Sequence, residues 1–295
     1  YLPYPEDLSI FNFSEFTSNG QTRYSCRIDF SANLPAYLII PFEYNDIPVT
    51  TVARYGTSSS NAANVTNVYL PDCVEIIREY TFADCVNLTE IDTSNITSVE
   101  KFAFSNTGFE ELDFPKLNKL EGESQFKNCA NLRRISIGQP IELIPNRCCF
   151  GCSNLETFDH VGGFKSIGMS CFTSCLKLKR FILPEGLTTL YESAFDTCGL
   201  EYVDIPKSCT NFGARIFFKS NLRIAIIRGI TNVNDALIKN ICITTYSTCQ
   251  SGIFIFGDVD NPVTRYEASN DSEYMGSIVL ITNTDNIEYV NKSTN

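Results

Sequence analysis

Residues 187–206 read LTTLYESAFDTCGLEYVDIP, and the spacing of apolar residues in this stretch decides the fold. Phe195 is followed three residues later by Cys198. A cluster with the spacing apolar-x-x-apolar-x-apolar comes next: Leu200, Val203 and Ile205. In an extended segment, the last two residues of this cluster lie on the same face of the pleat. The stretch therefore predicts a turn around a buried phenylalanine, followed by a short strand buried on one face.

The same pattern recurs along the chain every 22 or 23 residues, or at twice that interval. Phenylalanine occupies six of seven positions of one column, and Cys149 occupies the seventh: Phe82, Phe104, Phe126, Phe172, Phe195 and Phe217. The residues three positions later are all small: Cys85, Thr107, Cys129, Cys152, Cys175, Cys198 and Ser220. A repeat of this length is typical of a solenoid in which each turn contacts only its neighbours.

One repeat cannot fold alone. It buries about five apolar side chains, each contributing roughly 1.5 to 3 kcal/mol, while ordering its backbone costs about 1 to 2 kcal/mol per residue. Stacking supplies the remainder, because strands of successive repeats pair into a parallel sheet. We therefore predict a leucine-rich repeat solenoid, mostly β-structure with short turns and 3-10 segments.

The two ends depart from the repeat and divide the chain into three predicted regions. Residues 1–45 are predicted to form an N-terminal region and a β-hairpin cap, with strands at 24–30 and 38–41. Residues 46–228 form the solenoid, with a loop inserted at 56–64. Residues 229–295 are expected to form irregular, degenerate turns and a C-terminal cap, since strand-like segments at 252–256 and 277–282 lie about one repeat apart.

Residues 187–206 closely resemble the BspA-like class of leucine-rich repeats. The lead-in segment 38–52, LIIPFEYNDIPVTTV, also resembles that family, and the resemblance covers about residues 36–228. It implies a surface or secreted protein, and it implies adhesion to host matrix proteins. The sequence departs from the family pattern at Cys149, at Thr107 and Ser220 in the cysteine column, and at the irregular C-terminal end.

The composition describes a soluble globular protein and excludes several function classes. The 295 residues are 43% apolar and 19% charged, with a formal charge of -11. No basic stripe is available to neutralise phosphates, so nucleic acid is not an expected partner. No apolar run reaches the length of a membrane span. Because the chain begins with Tyr1 rather than methionine, a processed or trimmed product is expected.

Cysteine and histidine residues form the most conspicuous chemical cluster, and zinc binding is one interpretation of it: Cys148, Cys149, Cys152, His160, Cys171 and Cys175. The repeat explains most of these cysteines as buried core thiols. Cys149 and His160 occupy inward positions of one repeat, where a buried polar pair or a thiol nucleophile is the alternative. Disulfides between adjacent repeats are a further alternative. We favour core packing, and predict no catalytic residue, metal or cofactor.

Function is therefore expected on the surface of the sheet. Residues that alternate with the buried ones in each strand point outward, and we call the surface that they form the exposed face: Glu90, Asp92, Glu111, Asp113, Arg134, Asp159, Arg180, Ile182, Tyr202 and Asp204. This series begins acidic and ends apolar. We predict a non-enzymatic, extracellular or cell-surface adhesin that binds a host or partner protein there, possible ligands including an extracellular-matrix protein. A structural spacer that projects another domain is the alternative.

Overall fold

The structure is a computed structural model of the chain, and it describes residues 3–241, 252–258, 260, 262–267, 276–281 and 287–290. These residues form 24 short strands, one α-helix and one 3-10 helix. The chain divides into two compact units. The first comprises Tyr1–Ile141, Gly151–Ser153 and Phe158–Val161, and the second comprises Glu142–Phe150, Asn154–Thr157 and Gly162–Asn295.

Most strands contain only two to four residues, as expected for a short-repeat solenoid. The first twelve are β1 Phe11–Ser18, β2 Gln21–Asp29, β3 Tyr37–Ile39, β4 Glu43–Tyr44, β5 Ile47–Tyr55, β6 Asn67–Tyr69, β7 Ile76–Ile77, β8 Glu90–Ile91, β9 Ser98–Val99, β10 Glu111–Phe114, β11 Lys119–Leu120 and β12 Arg134–Ile137. The others are β13 Leu143–Ile144, β14 Thr157–His160, β15 Ser166–Ile167, β16 Thr189–Leu190, β17 Tyr202–Ile205, β18 Asn211–Phe212, β19 Ile224–Ile227, β20 Asn232–Asn234, β21 Gly252–Phe256, β22 Arg265–Glu267, β23 Gly276–Ile281 and β24 Ile287–Val290. The α-helix, α1, spans Asp235–Ile241.

Parallel pairing dominates the sheets of both units. In the first unit, one sheet has the order β1-β2-β5-β7-β9-β11, and β4 pairs with β5. Strands β3-β6-β8 form a second sheet, and β10-β12-β14 form a third. In the second unit the orders are β13-β15-β16-β18, β17-β19-β21-β23-β24 and β20-β22. Paired residues in consecutive turns lie about 23 positions apart, as Glu111 and Arg134 do. The predicted solenoid fold class is confirmed.

Stacked phenylalanine rings form the core of the first unit. The ring centroids of Phe82 and Phe104 are 5.7 Å apart, and those of Phe104 and Phe126 are 6.0 Å apart. The ring planes are inclined by only 19° and 7°. All three side chains are fully buried. The predicted phenylalanine column is therefore a continuous stack in this unit.

The second unit repeats this arrangement. Phe195 stacks on Phe172 at 5.4 Å and on Phe217 at 5.8 Å, and Phe181 packs edge-on against it at 5.5 Å. Cys149, which replaces phenylalanine in the column, is also fully buried. The column position is thus part of the core even where the sequence departs from the pattern.

Two left-handed backbone positions flank each of the seven column residues. They lie two residues before and two residues after it, all with positive φ: Tyr80 and Asp84, Phe102 and Asn106, Ser124 and Asn128, Arg147 and Gly151, Ser170 and Ser174, Ser193 and Thr197, Arg215 and Lys219. In the first of these turns, the N–H groups of Tyr80, Phe82 and Asp84 donate to carbonyls of the next turn at 2.8 to 3.0 Å. The turns are therefore linked by backbone hydrogen bonds as well as by side chains.

The predicted N-terminal hairpin is wrong in its choice of strands. Strands β1 and β2 form the antiparallel hairpin, joined by Asn19 and Gly20, which both have positive φ. Strand β3, which contains Leu38, pairs in parallel with β6 and is the first strand of the repeat sheet. The Asn-Gly pair is physically suited to a two-residue hairpin turn because both of its residues tolerate positive φ.

The predicted insertion at 56–64 contains a short 3-10 helix, Ala62–Asn64. The Asn61 side-chain amide donates hydrogen bonds to the carbonyls of Ser31 and Ala32 at 3.2 and 2.7 Å. The segment is thus attached to the turn that follows β2. At the C-terminal end, β21 and β23 pair in parallel, so the predicted strands near 252–256 and 277–282 are confirmed, although residue 282 lies outside the described residues.

Candidate protein-binding face

The structure places the ten predicted face residues on the outer surface of the repeats. Nine of them are exposed, and Asp204 is half-buried. The cause is the pleat: in β10, for example, exposed Glu111 and Asp113 alternate with buried Leu112 and Phe114. The predicted orientation of these side chains therefore agrees with their exposure, and their role in binding stays a prediction.

Four carboxylates dominate the exposed face of the first unit: Glu90, Asp92, Glu111 and Asp113. Among the residues that the structure describes, none of the four forms an ion pair. Glu90 accepts a hydrogen bond from the Asn67 side-chain amide, and Asp92 accepts one from the N–H of Ser94 at 2.9 Å. This surface therefore carries four carboxylates that have no direct ion-pair partner among the described residues, although Arg134 lies opposite Glu111 in the next strand.

Sequence reasoning missed the start of this face. Tyr37, Asn67 and Tyr69 occupy outward positions of β3 and β6, and Tyr37 is 53% exposed. They line a groove of about 450 Å³ together with Glu90 and Asp92. The signal was present in the apolar residues 65, 68 and 70, because the positions between them must point outward. The face thus begins with aromatic side chains before it becomes acidic.

Arg134 is held in place by a neighbouring carboxylate. Its Nε lies 2.9 Å from Oδ2 of Asp159, and both side chains remain about half exposed. The hydrogen bond to Asp159 raises the pKa of the Arg134 guanidinium above its ordinary value. Two residues that were predicted separately therefore act as one locally neutral pair.

The exposed face of the second unit is more apolar. Ile182 is 82% exposed and Tyr202 is 41% exposed. Ile224 and Ile253 continue the Tyr202 column in the next two strands, at 37% and 41%. Exposed aliphatic side chains that adjoin one another are typical of interaction surfaces.

Asp204 is not an isolated anion. Both of its carboxylate oxygens accept hydrogen bonds from Arg228, from Nε and from one terminal nitrogen, each at 2.7 Å. This fork arrangement is the strong geometry for an arginine and a carboxylate, and it raises the pKa of Arg228. The pair was not predicted, because Arg228 lies just beyond the strand positions that the repeat assigns to the face.

The sheet of the second unit is interrupted at one turn. Arg180 forms only an isolated bridge with Tyr202, and residues 181–184 are not a strand. A notch of about 440 Å³ lies at this place. Its lining residues are Arg180, Phe181, Ile182, Leu183, Glu185, Tyr202, Asp204, Pro206 and Arg228. We call this feature the Arg180 notch.

Eleven of the thirteen cysteines are described, and all eleven are thiols. Ten are buried, and Cys73 is half-exposed. Burial raises the pKa of Cys85 and of Cys198 to about 12, so these thiols are protonated near neutral pH. The prediction of buried core thiols is confirmed for the ten buried cysteines and not for Cys73, while Cys242 and Cys249 lie outside the described residues.

The alternative interpretation of the cysteine and histidine cluster is a metal site. Within the described residues, no group of three or more histidine, cysteine, aspartate or glutamate residues is arranged to hold a metal ion. Cys149 is fully buried, and His160 is half-buried at the end of β14.

A membrane-spanning helix is not found in the described part of the chain.

Comparison with protein families identifies the repeat. Residues 57–175 and 142–258 match the model of the BspA type leucine rich repeat region, in six copies. The chain belongs to the BspA-type leucine-rich repeat family. Proteins of this family typically take part in protein interactions. A comparison with curated proteins found no significant match to this BspA-type protein.

Two crystal structures share the fold of this BspA-type protein. A leucine-rich repeat protein from Bacteroides ovatus ATCC 8483 is 19% identical, with a TM-score of 0.57 over 92% of this chain and 79% of the other. A leucine rich cell surface protein from Faecalibacterium prausnitzii A2-165 is 16% identical, with a TM-score of 0.50 over 91% of this chain and 77% of the other. At this level of identity the similarity concerns the fold alone.

Proposed function

We propose that this BspA-type protein is a non-enzymatic adhesin, extracellular or on a cell surface, that binds a host or partner protein on its exposed face. The observation that carries the proposal is the exposure of Tyr202 and of its partners in the next two strands, Ile224 and Ile253. Ile182 is also exposed, in the segment that precedes Tyr202 by one turn. A surface that only needs solvation is expected to place charged or small polar residues there. The Faecalibacterium relative, named as a cell surface protein, supports the proposed location.

The two parts of the exposed face are suited to different tasks. Aromatic and arginine side chains usually contribute most of the binding energy at a protein interface, and the second unit presents Tyr202 and Arg180. Unpaired charges at the edge of an interface mainly change the rate of encounter, and the first unit presents four carboxylates. We therefore assign affinity to the second unit and electrostatic steering to the first.

The proposal assigns no catalytic residue and no cofactor. A cysteine nucleophile reacts as the thiolate, which is favoured by exposure and nearby positive charge. Cys171 is fully buried, and burial raises its pKa well above the ordinary value. The same shift holds for Cys129 in the first unit. These thiols are suited to packing rather than to chemistry.

Binding of purified extracellular-matrix proteins to the immobilised chain tests the proposal. We expect at least one matrix protein to bind in biolayer interferometry, and Tyr202→Ala to weaken that binding while the circular dichroism spectrum stays unchanged. The matched control is Asp196→Lys, a charge change on the turn side of the same unit. Binding that responds to Asp196→Lys and not to Tyr202→Ala contradicts the assignment.

A structural spacer is the second candidate function, and the stacked rings with the backbone bonds between turns favour it. Such a construction resists bending because each turn is attached to its neighbours along several lines. A spacer needs no ligand. If no matrix protein binds and the face substitutions change nothing measurable, the spacer is the better description.

A further inference from the structure

We propose that the Arg180 notch binds one apolar side chain of the partner protein together with a carboxylate next to it in the partner's sequence. The inference rests on the proposed function, because it names the chemistry of a ligand for the exposed face of the second unit. It concerns a short acidic and apolar segment of a protein.

The notch exists because one turn of the repeat leaves the sheet. Strands β17 and β19 pair over four residues, whereas Arg180 and Tyr202 form a single bridge. Residues 181–184 are not assigned to a strand, and the notch lies where this segment faces β17. Its volume of about 440 Å³ lies at the low end of ligand pockets, a size suited to one or two side chains.

The floor of the notch is apolar and the wall is partly apolar. Phe181 and Leu183 form the floor and are 7% and 8% exposed, so a side chain that enters contacts the core of the unit. Ile182 and Tyr202 stand at the opening and remain available to the solvent. An aromatic or large aliphatic side chain would cover this surface and remove it from water, which is favourable.

The charge of Arg180 favours a ligand carboxylate beside this apolar side chain. Arg180 has an exposed guanidinium and no ion-pair partner within the described part of the chain. The other arginine of the notch, Arg228, is neutralised by Asp204 through two hydrogen bonds. Arg180 is therefore the cation left to attract a ligand carboxylate, and a guanidinium pairs with a carboxylate through two parallel bonds.

Glu185 lies on the lining of the same notch and opposes an acidic ligand. Its carboxylate is exposed, so it limits the affinity without abolishing the preference. Loss of charge is therefore expected to have opposite effects on ligand affinity at Arg180 and at Glu185. Removing the charge of Arg180 weakens binding, and removing the charge of Glu185 strengthens it.

The probes for this inference are three blocked dipeptides: N-acetyl-Phe-Asp-amide, N-acetyl-Phe-Asn-amide and N-acetyl-Phe-Lys-amide. They are titrated into the full chain labelled at isoleucine methyl groups, and nuclear magnetic resonance follows the signal of Ile182, assigned with Ile182→Val. We expect Phe-Asp to shift this signal and to bind at least five-fold more tightly than Phe-Asn and ten-fold more tightly than Phe-Lys. Equal affinities for Phe-Asp and Phe-Lys, or no shift of Ile182, overturn the inference.

Matched variants separate the notch from general charge effects. We expect Arg180→Met to weaken Phe-Asp binding at least five-fold and to erase its advantage over Phe-Asn, and Glu185→Gln to strengthen it about two-fold. The control Arg223→Met removes an exposed arginine of the same unit that does not line the notch, and it is expected to change nothing. An equal loss for Arg223→Met and Arg180→Met overturns the proposal.

The outcome is distinguishable from failure of the proposed function. If matrix proteins bind through Tyr202 but Phe-Asp is not preferred at Ile182, the inference about the notch is wrong and the adhesin proposal stands. If Phe-Asp binds as expected but no matrix protein binds the exposed face, the adhesin proposal is wrong. Analytical ultracentrifugation tests a further occupant, because self-association that blocks Phe-Asp binding would identify a second copy of the chain and overturn the proposed partner.

Discussion

Truncation of Phe195 to alanine tests the core of the second unit. The side chain is fully buried, and three other rings surround it with centroid distances of 5.4 Å to Phe172, 5.5 Å to Phe181 and 5.8 Å to Phe217. Truncation of a buried phenylalanine costs about 3 to 5 kcal/mol. Because each ring pair contributes about 0.5 to 1.5 kcal/mol beyond the buried area, we expect a loss of about 4 to 5 kcal/mol for Phe195→Ala.

The assay is equilibrium unfolding in urea, followed by far-ultraviolet circular dichroism. Phe218→Ala is the matched control, because Phe218 is half-buried and its ring lies beside the cations of Arg215 and Lys219 at 5.4 and 5.3 Å. Cation–π contacts at exposed sites contribute about 0.5 to 1 kcal/mol each, so the control should lose less than about 2 kcal/mol. Equal, small losses for the two variants would show that the ring column is not the core.

Four other predictions concern the thiols, the turns and the acidic surface. Burial raises the pKa of Cys85 and Cys198 to about 12, so the folded state keeps these two protons at a pH where the unfolded state loses them. The contribution of each thiol to the unfolding free energy is therefore fully present below pH 9. As the pH rises from 9 toward 12, the unfolding free energy measured in urea titrations should fall by about 1.4 kcal/mol per pH unit for each thiol. Native thiol labelling should leave most cysteines unreacted; rapid reaction of ten or more would refute burial. A Cβ at Gly199 would lie 2.0 Å from the Leu176 carbonyl oxygen, so Gly199→Ala should lower the unfolding free energy by at least about 2 kcal/mol. Glu90→Lys should change the association rate with a partner and its salt dependence, with little effect on dissociation in surface plasmon resonance.

The repeat could be predicted from sequence because burial at a fixed period leaves a strong signal. Phe104 and Phe126 stand 22 residues apart in the sequence and stack in the structure. The same frame gives the side of the sheet on which Glu111 or Tyr202 lies, since alternation along a strand has only two outcomes. These predictions need no knowledge of distances between side chains.

The remaining features depend on contacts that a periodic pattern does not contain. The prediction that residues 38–41 form half of a hairpin is wrong because the phenylalanine column begins only at Phe82, so the spacing gives no sign that Leu38 belongs to the repeat sheet. The fork between Asp204 and Arg228 depends on how far one side chain reaches across neighbouring turns. The Arg180 notch lies where strand pairing is reduced to a single bridge, although the apolar spacing of the sequence is intact there.

The most direct test of protein binding by the exposed face compares two substitutions in the second unit. The affinity of a bound matrix protein is measured by biolayer interferometry for the unaltered chain, for Tyr202→Ala and for Asp196→Lys. We predict that Tyr202→Ala weakens binding by about 1 to 2 kcal/mol without lowering stability, and that Asp196→Lys leaves binding unchanged. If Asp196→Lys abolishes binding while Tyr202→Ala has no effect, the ligand is bound by the turns, and the assignment of the exposed face is wrong.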